Sequence, residues 1–452
     1  MRIDPVGDLG SGTPTRRSPF SDNPKVGVRG QRTQQRIVDA ALEVFGERGF
    51  HRCSIDRIAN VAGCSRVSFY QYFSSKDDLY RHLSGQVARQ LAASTELLGP
   101  LTPDEAGWLT IRQWAGRHGD IYERYEPVFD VHAAARTTDE VVARGAARTA
   151  DRNIARIRSR LDTTDLPARQ LDPVLTLLVQ ALSRTQHLVR LLNRSTPGAF
   201  PPDRVADALA DVAHRTLFGL RTEVNVHGTG APPPPAHDIN RALGDVTEAT
   251  ASHDLTPTGE RTLEALIAAG QTVLVERGYD RTRVDDVVEA AGVSHGAFYR
   301  YFSNKGDLAR TVGISAFRRM SASFEQIPSA SPAGSAGAGA STEAGDIGVS
   351  LRSWLRRYES AFTSEAGIVD VWDDASRDDP EFAVASAAAV DWGRYRIAGF
   401  LRPRGFGDVE AEAVVLLAII TARPLADRRP GSVDPLALVI ERGLLGLGPS
   451  PD

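Results

Sequence analysis

The chain has 452 residues, 42% apolar, 24% charged and only 7% aromatic, which is ordinary globular composition and too long for one hydrophobic core. A net charge of −4 excludes indiscriminate coating of nucleic acid but leaves room for a local basic surface. Two cysteines, Cys53 and Cys64, exclude a disulfide scaffold or a thiolate metal centre, and the ten histidines show no metal-ligand spacing. Ala, Leu, Val and Arg dominate over β-branched and aromatic runs, so helices are favoured. No apolar run approaches a membrane span and the first thirty residues hold no hydrophobic targeting segment, so a cytoplasmic location is expected.

Residues 1–32 are rich in Gly, Pro, Ser and Arg and read as a disordered basic arm, with Arg16, Arg17, Lys25, Arg29 and Arg32 against Asp22. From Gln34, apolar residues at Ile37, Ala40, Ala41, Val44 and Phe45 mark one helix face, ended by Gly49. Residues 33–80 form the first predicted domain, and residues 81–222 a helical segment without a convincing strand. Two stripes stand out there: Leu171, Val174, Leu178, Ala181, Leu182, Leu188 and Leu192, then Val205, Leu209, Val212, Ala213, Leu217 and Leu220. Residues 223–257, centred on four prolines from Pro232, read as a linker, followed by a second small domain over 258–309 and a second helical segment over 310–448. Within the latter, 328–345 reads as a Ser/Ala/Gly/Pro loop.

Residues 33–80 recur without a gap as residues 262–309, and each copy reads as a helix-turn-helix. Gly63 and Gly292 are placed to end the first helix in a left-handed conformation, and Ser65 and Ser294 to cap the next. Phe69 and Phe73, like Phe298 and Phe302, are four apart and should pack inward. The opposite face offers Arg66, Val67, Ser68, Tyr70, Gln71 and Tyr72 in one copy, and His295, Gly296, Ala297, Tyr299, Arg300 and Tyr301 in the other. Such a face suits double-stranded DNA: Arg66 or Arg300 for guanine, Gln71 for adenine, Val67 for a thymine methyl. Ser54, Ser65 and Ser294 stand at helix starts facing the duplex, and Lys76 and Lys305 begin the following helix, where a cation and free N–H groups suit a phosphate. The groove-facing residues differ between copies while the inward ones are kept, as expected of two readers on one scaffold.

The duplication continues faintly. Trp114 within Ile111–His118 corresponds to Trp354 within Leu351–Tyr358, and separate helices follow at Phe129–Ala135 and Val369–Ala375. The helices around Val414–Ile420 and Leu436–Leu445 echo the two strong stripes. Aromatic residues at helical spacing, namely Trp114, Tyr122, Tyr125 and Phe129 with His118 and His132, and in the second half Trp354, Tyr358, Phe362 and Trp372, are either core or the lining of a pocket for an unknown small-molecule effector. Gly292-Val293-Ser294-His295-Gly296 fits the hydrolase pattern G-x-S-x-G. That motif needs a preceding strand, whereas Val287–Ala291 is helical in pattern, so no enzyme is expected.

The runs Ala62-Gly63-Cys64-Ser65, Phe69-Tyr70-Gln71-Tyr72-Phe73 and Lys76-Asp77-Asp78-Leu79, with Ala291-Gly292-Val293-Ser294, Phe298-Tyr299-Arg300-Tyr301-Phe302 and Lys305-Gly306-Asp307-Leu308, resemble the TetR family of bacterial transcriptional regulators, twice. The resemblance implies an all-α fold: two tandem modules, each a three-helix DNA-binding domain plus a helical bundle for ligand binding and dimerisation. It further implies a repressor released from its operator by a small molecule, without a cofactor, the last two helices of each module forming a four-helix interface. With two modules fused, either an intramolecular pseudo-dimer or a homodimer of fused chains follows. In both, a ligand held within 104–195 or 345–400 would alter the separation of the recognition helices. The other reading is a ligand-binding or scaffolding helical protein whose DNA heads have degenerated. Two departures bear on the second head. Arg283 stands where the family favours Ser or Thr, removing a helix cap. Residues 262–309 also hold five Lys/Arg against seven Asp/Glu, where 33–80 hold six against six, so weaker DNA binding is expected there.

Overall fold

The computed structural model describes residues 27–50, 52–135, 140–220, 256–328, 340–375, 380–404, 407–422 and 433–447. The described residues are helical throughout, apart from turns and an isolated bridge between Leu101 and Leu161. Among the described residues, eight α-helices belong to the first half: α1 Val28–Arg48, α2 Ile55–Val61, α3 Arg66–Tyr72, α4 Lys76–Glu96, α5 Glu105–Ala135, α6 Glu140–Arg158, α7 Ala168–Ser195 and α8 Pro202–Phe218. Eight more follow in the same order: α9 Pro257–Arg277, α10 Val284–Ala291, α11 His295–Tyr301, α12 Lys305–Phe324, α13 Ala340–Ala375, α14 Pro380–Leu401, α15 Val409–Thr421 and α16 Val433–Leu438, the last running into a π-helical turn, Val439–Leu444. The predicted all-α tandem architecture is what the chain adopts. The chain divides into two compact units, residues 1–85 and 86–452.

Several predicted boundaries move. Helix α1 begins at Val28, inside the predicted basic arm; the rest of that arm up to residue 26 lies outside the described residues, as does nearly all of the predicted linker. The predicted loop 328–345 gives way to α13 at Ala340. The separate helix expected at Val369–Ala375 is continuous with the one before it, whereas the one expected at Phe129–Ala135 is set off, α5 being two helices joined across a kink. In α5 the seam shows as non-helical Tyr125 (φ −112°, ψ 18°), just ahead of Pro127, whose ring removes a backbone donor.

In the larger unit, the amphipathic stripe expected on α8 proves too narrow. Besides Val205, Leu209, Val212 and Leu217, the other sides are buried too, with Asp211, His214 and Arg215 all at most 2% exposed. Asp211, bonded by Trp108 Nε1 (2.8 Å), and His214, whose Nε2 meets the Thr102 carbonyl (3.2 Å), face α5 and the segment before it, while Arg215 is covered by the other half of the same chain. Helices α7 and α8 pack on α15, and α8 crosses the π-helical turn. The crossing is reciprocal: Arg215 Nε donates to the Gly443 carbonyl (2.7 Å), and Arg442 Nε donates to the Thr216 carbonyl (3.0 Å). Both pairs are related by the same 227-residue shift, the signature of an isologous contact between two like elements. At the crossing a side chain on Gly443 would collide with Thr216 and Val212, so only glycine allows the approach. Arg215 also pairs with Glu412 at 2.8 Å, both fully buried, and Arg204 grips Asp408 with two bonds of 2.6 and 2.9 Å.

The aromatic side chains of α5 pack as core. Trp114, Tyr122 and Tyr125 are buried, and Tyr122 lies 4.9 Å from the Phe129 ring. His118 Nε2 meets Ser183 Oγ of α7 at 2.8 Å. The side chain of His132 lies outside the described residues. Burial pushes the His118 imidazole down from 6.5 to about 4, so it is neutral near pH 7. The unfolded chain takes up this proton first, so the stability is whole above the unfolded value. It falls as the pH drops through that value toward the folded one, by about 3 kcal/mol in all. Urea unfolding of wild type and His118→Gln between pH 7 and 4 should show that extra pH slope in the wild type only.

Candidate nucleic-acid interface and core cavity

Each short recognition helix is built by local chemistry. In the first head, Ser54 Oγ accepts from the Arg57 N–H and caps α2. Gly63 (φ +63°) then turns the chain, and Ser65 Oγ accepts from the Ser68 N–H at 3.1 Å to start α3. In the second head, Gly292 (φ +64°) and Ser294, accepting from the Ala297 N–H at 3.2 Å, repeat this. The loss of a serine cap at Arg283 is answered from the other side: the Asp286 carboxylate reaches back and accepts the Arg283 N–H at 2.8 Å. Phe69, Phe73, Phe298 and Phe302 are at most 1% exposed and anchor both helices from behind. Because α10 is helical and ends at a left-handed glycine, the G-x-S-x-G run has no strand to stand on.

Most of the residues placed on the outward faces are exposed or half-buried. Arg66, Val67 (73% exposed) and Gln71 face solvent with Ser68 and Tyr70 half-buried; His295, Gly296, Tyr299 (58%) and Arg300 do so with Ala297 half-buried. The first residue of each helix is tethered by an aspartate that the sequence reading passed over. Arg66 Nη1 lies 2.8 Å from Asp56, and His295 Nε2 lies 2.9 Å from Asp285, which occupies the equivalent position. A charge kept at the same spacing in both copies was the available signal.

Two pairs of residues depart from the expected roles. Tyr72 is buried, not groove-facing, and the Tyr301 hydroxyl donates back to the Gly259 carbonyl of α9 (3.1 Å). The expected phosphate site at the start of the next helix is taken up internally. Lys76 Nζ donates to the carbonyls of Phe50 (2.6 Å) and Cys53 (3.2 Å) and sits 4.5 Å from the centre of the Phe50 ring. Lys305 does the same with Tyr279, at 2.7 Å to its carbonyl and 4.4 Å to its ring. Two N–H groups at each start are also taken: Asp78 accepts from Ser74 N and Ser75 Oγ from Asp78 N, while Asp307 accepts from Ser303 N and Asn304 Oδ1 from Asp307 N. The lysine ties the loop before the helix-turn-helix to the helix after it. Lys76→Met should therefore destabilise the first head by about 1–3 kcal/mol in thermal melts. It should leave the salt dependence of DNA binding nearly unchanged, whereas a phosphate contact would lower that slope by about one.

In the larger unit, about 800 Å³ of space not filled by protein atoms, part of it continuous with solvent, lies among α7, α12, α13, α14 and α15. Of the aromatic residues singled out in the second half, Tyr358, Phe362 and Trp372 line it. Trp354 does not; it is core, its Nε1 donating to the Ser323 carbonyl at 2.7 Å. Trp372 lies flat against Gly313 of α12, where any side chain would collide with its ring, and its Nε1 donates to Ser386. The rest of the wall comes from segments far apart in the chain: Arg184, Leu188 and Leu191 of α7 fall within 104–195 and Ile368 to Gly393 within 345–400, the stretches expected to hold a ligand, whereas the residues of α12 and α15 lie outside both.

Comparison with known proteins places the similarity in the heads. The model of the bacterial regulatory proteins of the tetR family matches residues 37–83 and again 266–312. An uncharacterized HTH-type transcriptional regulator, YwcC, of Bacillus subtilis (strain 168) is 48% identical over 48 residues, 11% of this chain and 22% of its own. The HTH-type transcriptional activator FasR of Mycolicibacterium smegmatis is 43% identical over 65 residues, 13% of this chain and 29% of the relative. The fatty acid metabolism regulator protein of Bacillus subtilis (strain 168) is 36% identical over 59 residues, 12% and 30% respectively. The chain thus spans 22–30% of the length of these relatives. The helix-turn-helix of the tetR family is thus built and matched at two places in one polypeptide, as a tandem duplication of that domain.

Proposed function

We propose that this chain is a sequence-specific DNA-binding transcriptional regulator, a repressor released from its operator by a small molecule, in which one polypeptide supplies both recognition helices. The observation that carries the reading is the pair of capped, phenylalanine-anchored short helices, each presenting an exposed polar face. The reciprocal Arg215 and Arg442 contacts supply what a homodimer interface would, so the working form is an intramolecular pseudo-dimer. Exposed pairs such as Arg66–Asp56 are worth at most about 1 kcal/mol, so either partner is readily given up to a base edge.

The release mechanism follows from α12. It starts behind the second recognition helix and then runs along the cavity, contributing Gly313, Ala316, Phe317 and Met320 to the lining. Arg319 holds it to α13 through two bonds to Glu365 (2.6 and 2.8 Å). A molecule that fills the cavity shifts α12 and α13 together. The two recognition helices then no longer match successive major grooves, about 34 Å apart.

Selection of bound genomic fragments with the purified full chain, followed by footprinting and light-scattering mass of the complex, tests this. One chain on two unlike half-sites is the expected result. Two chains on a longer palindrome would replace the pseudo-dimer with a homodimer. Failure to enrich any sequence would sink the regulator reading.

A further inference from the structure

We infer that the cavity takes one uncharged molecule per chain, with a surface mostly of hydrocarbon or aromatic character, and that the first module holds no second copy. This deepens the effector reading proposed above and rests on it only for the consequence of binding. The wall is aromatic and aliphatic, with Phe317, Phe324, Phe362, Ile368, Trp372 and Leu417 among the described residues that form it, and none of those residues is Asp, Glu, Lys or His. A cation would give up its hydration there without meeting a carboxylate, and an ion of either sign costs far more to dehydrate than a neutral group. The serine and threonine hydroxyls of the wall are engaged with protein. Ser321 Oγ donates to the Arg318 carbonyl (2.9 Å), Thr421 Oγ1 donates to the Leu417 carbonyl (2.6 Å), and Ser386 Oγ accepts from Trp372 Nε1. Arg184 has partners of its own, its Nε donating to Thr421 Oγ1 at 3.3 Å. What such a wall offers a ligand is apolar contact.

The site is composite and unmatched. Leu188 and Leu191 belong to α7 of the first module and the aromatic wall to the second, so the cavity is complete only where the two modules pack. The counterpart positions in the first module are given to polar pairs instead. Shifted back by the 240 residues that relate Trp354 to Trp114, Tyr358 and Phe362 become His118 and Tyr122. His118 Nε2 meets Ser183 Oγ at 2.8 Å, and Tyr122 packs on the Phe129 ring. Shifted back by the 227 residues that relate Arg442 to Arg215, Leu417 becomes Arg190, which pairs with Glu126 and lies 3.6 Å from Asp130. His187 faces Asp130 as well, at 3.8 Å. The space that is apolar between α13 and α15 is thus bridged by charges between α5 and α7. An apolar molecule wedged there would part Arg190 from its carboxylates, at a cost of several kcal/mol for partly buried ions. One equivalent per chain follows, where a symmetric dimer would take two.

Titration calorimetry of the full chain with octan-1-ol, octanoate and octylammonium tests the inference, the three probes sharing one tail. Octan-1-ol is expected to bind with one equivalent per chain and at least about ten-fold more tightly than either ion. Ala389→Phe, or Ala389→Leu if the larger residue does not fold, fills the space and should remove that equivalent, leaving none. Phe362→Ala should weaken octan-1-ol by about ten-fold, whereas Tyr122→Phe at the counterpart position should leave it within about two-fold of wild type. Two equivalents, an equivalent that survives in the Ala389 variants, tighter binding of octanoate or octylammonium than of the alcohol, or no binding of any probe would overturn it. Operator binding by the unliganded chain is measured alongside. Its absence counts against the regulator reading, while its presence with no octan-1-ol bound counts only against the uncharged ligand.

Discussion

Arg215→Ala is expected to lower the unfolding free energy of the unit spanning residues 86–452 by about 3–5 kcal/mol, the cost of leaving a buried charge without its partner. Arg215 and Glu412 are both fully buried and 2.8 Å apart, so the substitution strands the Glu412 carboxylate in an apolar interior and also deletes the bond to the Gly443 carbonyl. Arg442→Ala should cost less. Its acidic partner Asp165 is 3.5 Å away with a side chain 60% exposed, so water takes over that charge and mainly the bond to Thr216 is lost. Replacing both members of the close pair, Arg215→Met with Glu412→Leu, should recover part of the stability; Asp211, 3.9 Å from Arg215 and also buried, keeps its bond from the Trp108 indole N–H but loses the nearby positive charge. Urea unfolding provides the comparison, and a loss below about 1 kcal/mol for Arg215→Ala would mean the pair is not buried as described. The mass by light scattering should not change in any of these variants. In a pair of separate subunits the same break would favour dissociation, but here the two halves stay on one chain and at high effective concentration.

The second large effect concerns sequence preference. Exchanging the start of the first recognition helix for that of the second (R66H with V67G and S68A) should make the two faces more alike and convert a preference for unlike half-sites into one for like half-sites. Each lost bidentate contact is worth about 1–3 kcal/mol, so affinity for the original half-site should fall roughly ten- to hundred-fold. The tether to Asp285 in the second head already shows His295 held as Arg66 is held by Asp56, so the exchanged helix inherits a suitable partner in Asp56. Glycine at position 67 costs up to about 1 kcal/mol of helix stability, which a melt of the variant separates from lost recognition. Selected operators that stay the same before and after the exchange would remove these faces from the interface.

How far the heads were legible in the sequence can be judged residue by residue. The caps at Ser65 and Ser294 and the left-handed turns at Gly63 and Gly292 follow from contacts within four or five positions, and a repeat shows them twice. The inward phenylalanines follow from helical spacing alone. Lys76 was misread because its partners, the carbonyls of Phe50 and Cys53, lie 26 and 23 residues back, and nothing local distinguishes a lysine reaching inward from one reaching for a phosphate. Arg283 showed a missing cap, but that Asp286 would reach back to the backbone there was a matter of rotamer.

By itself, the sequence determined the all-helical tandem plan, the two short helices and most of the residues they expose, Tyr72 and Tyr301 apart, because capping, turning and amphipathic spacing act over one or two helical turns. Only the tertiary structure decided that α8 is buried on both sides, that Arg215 and Arg442 cross reciprocally, and that α7 lines a cavity whose other walls lie more than a hundred residues further on. Those features depend on which surfaces meet when distant helices pack, and the burial of a charge or the shape of a void is a property of the meeting rather than of either strip of sequence.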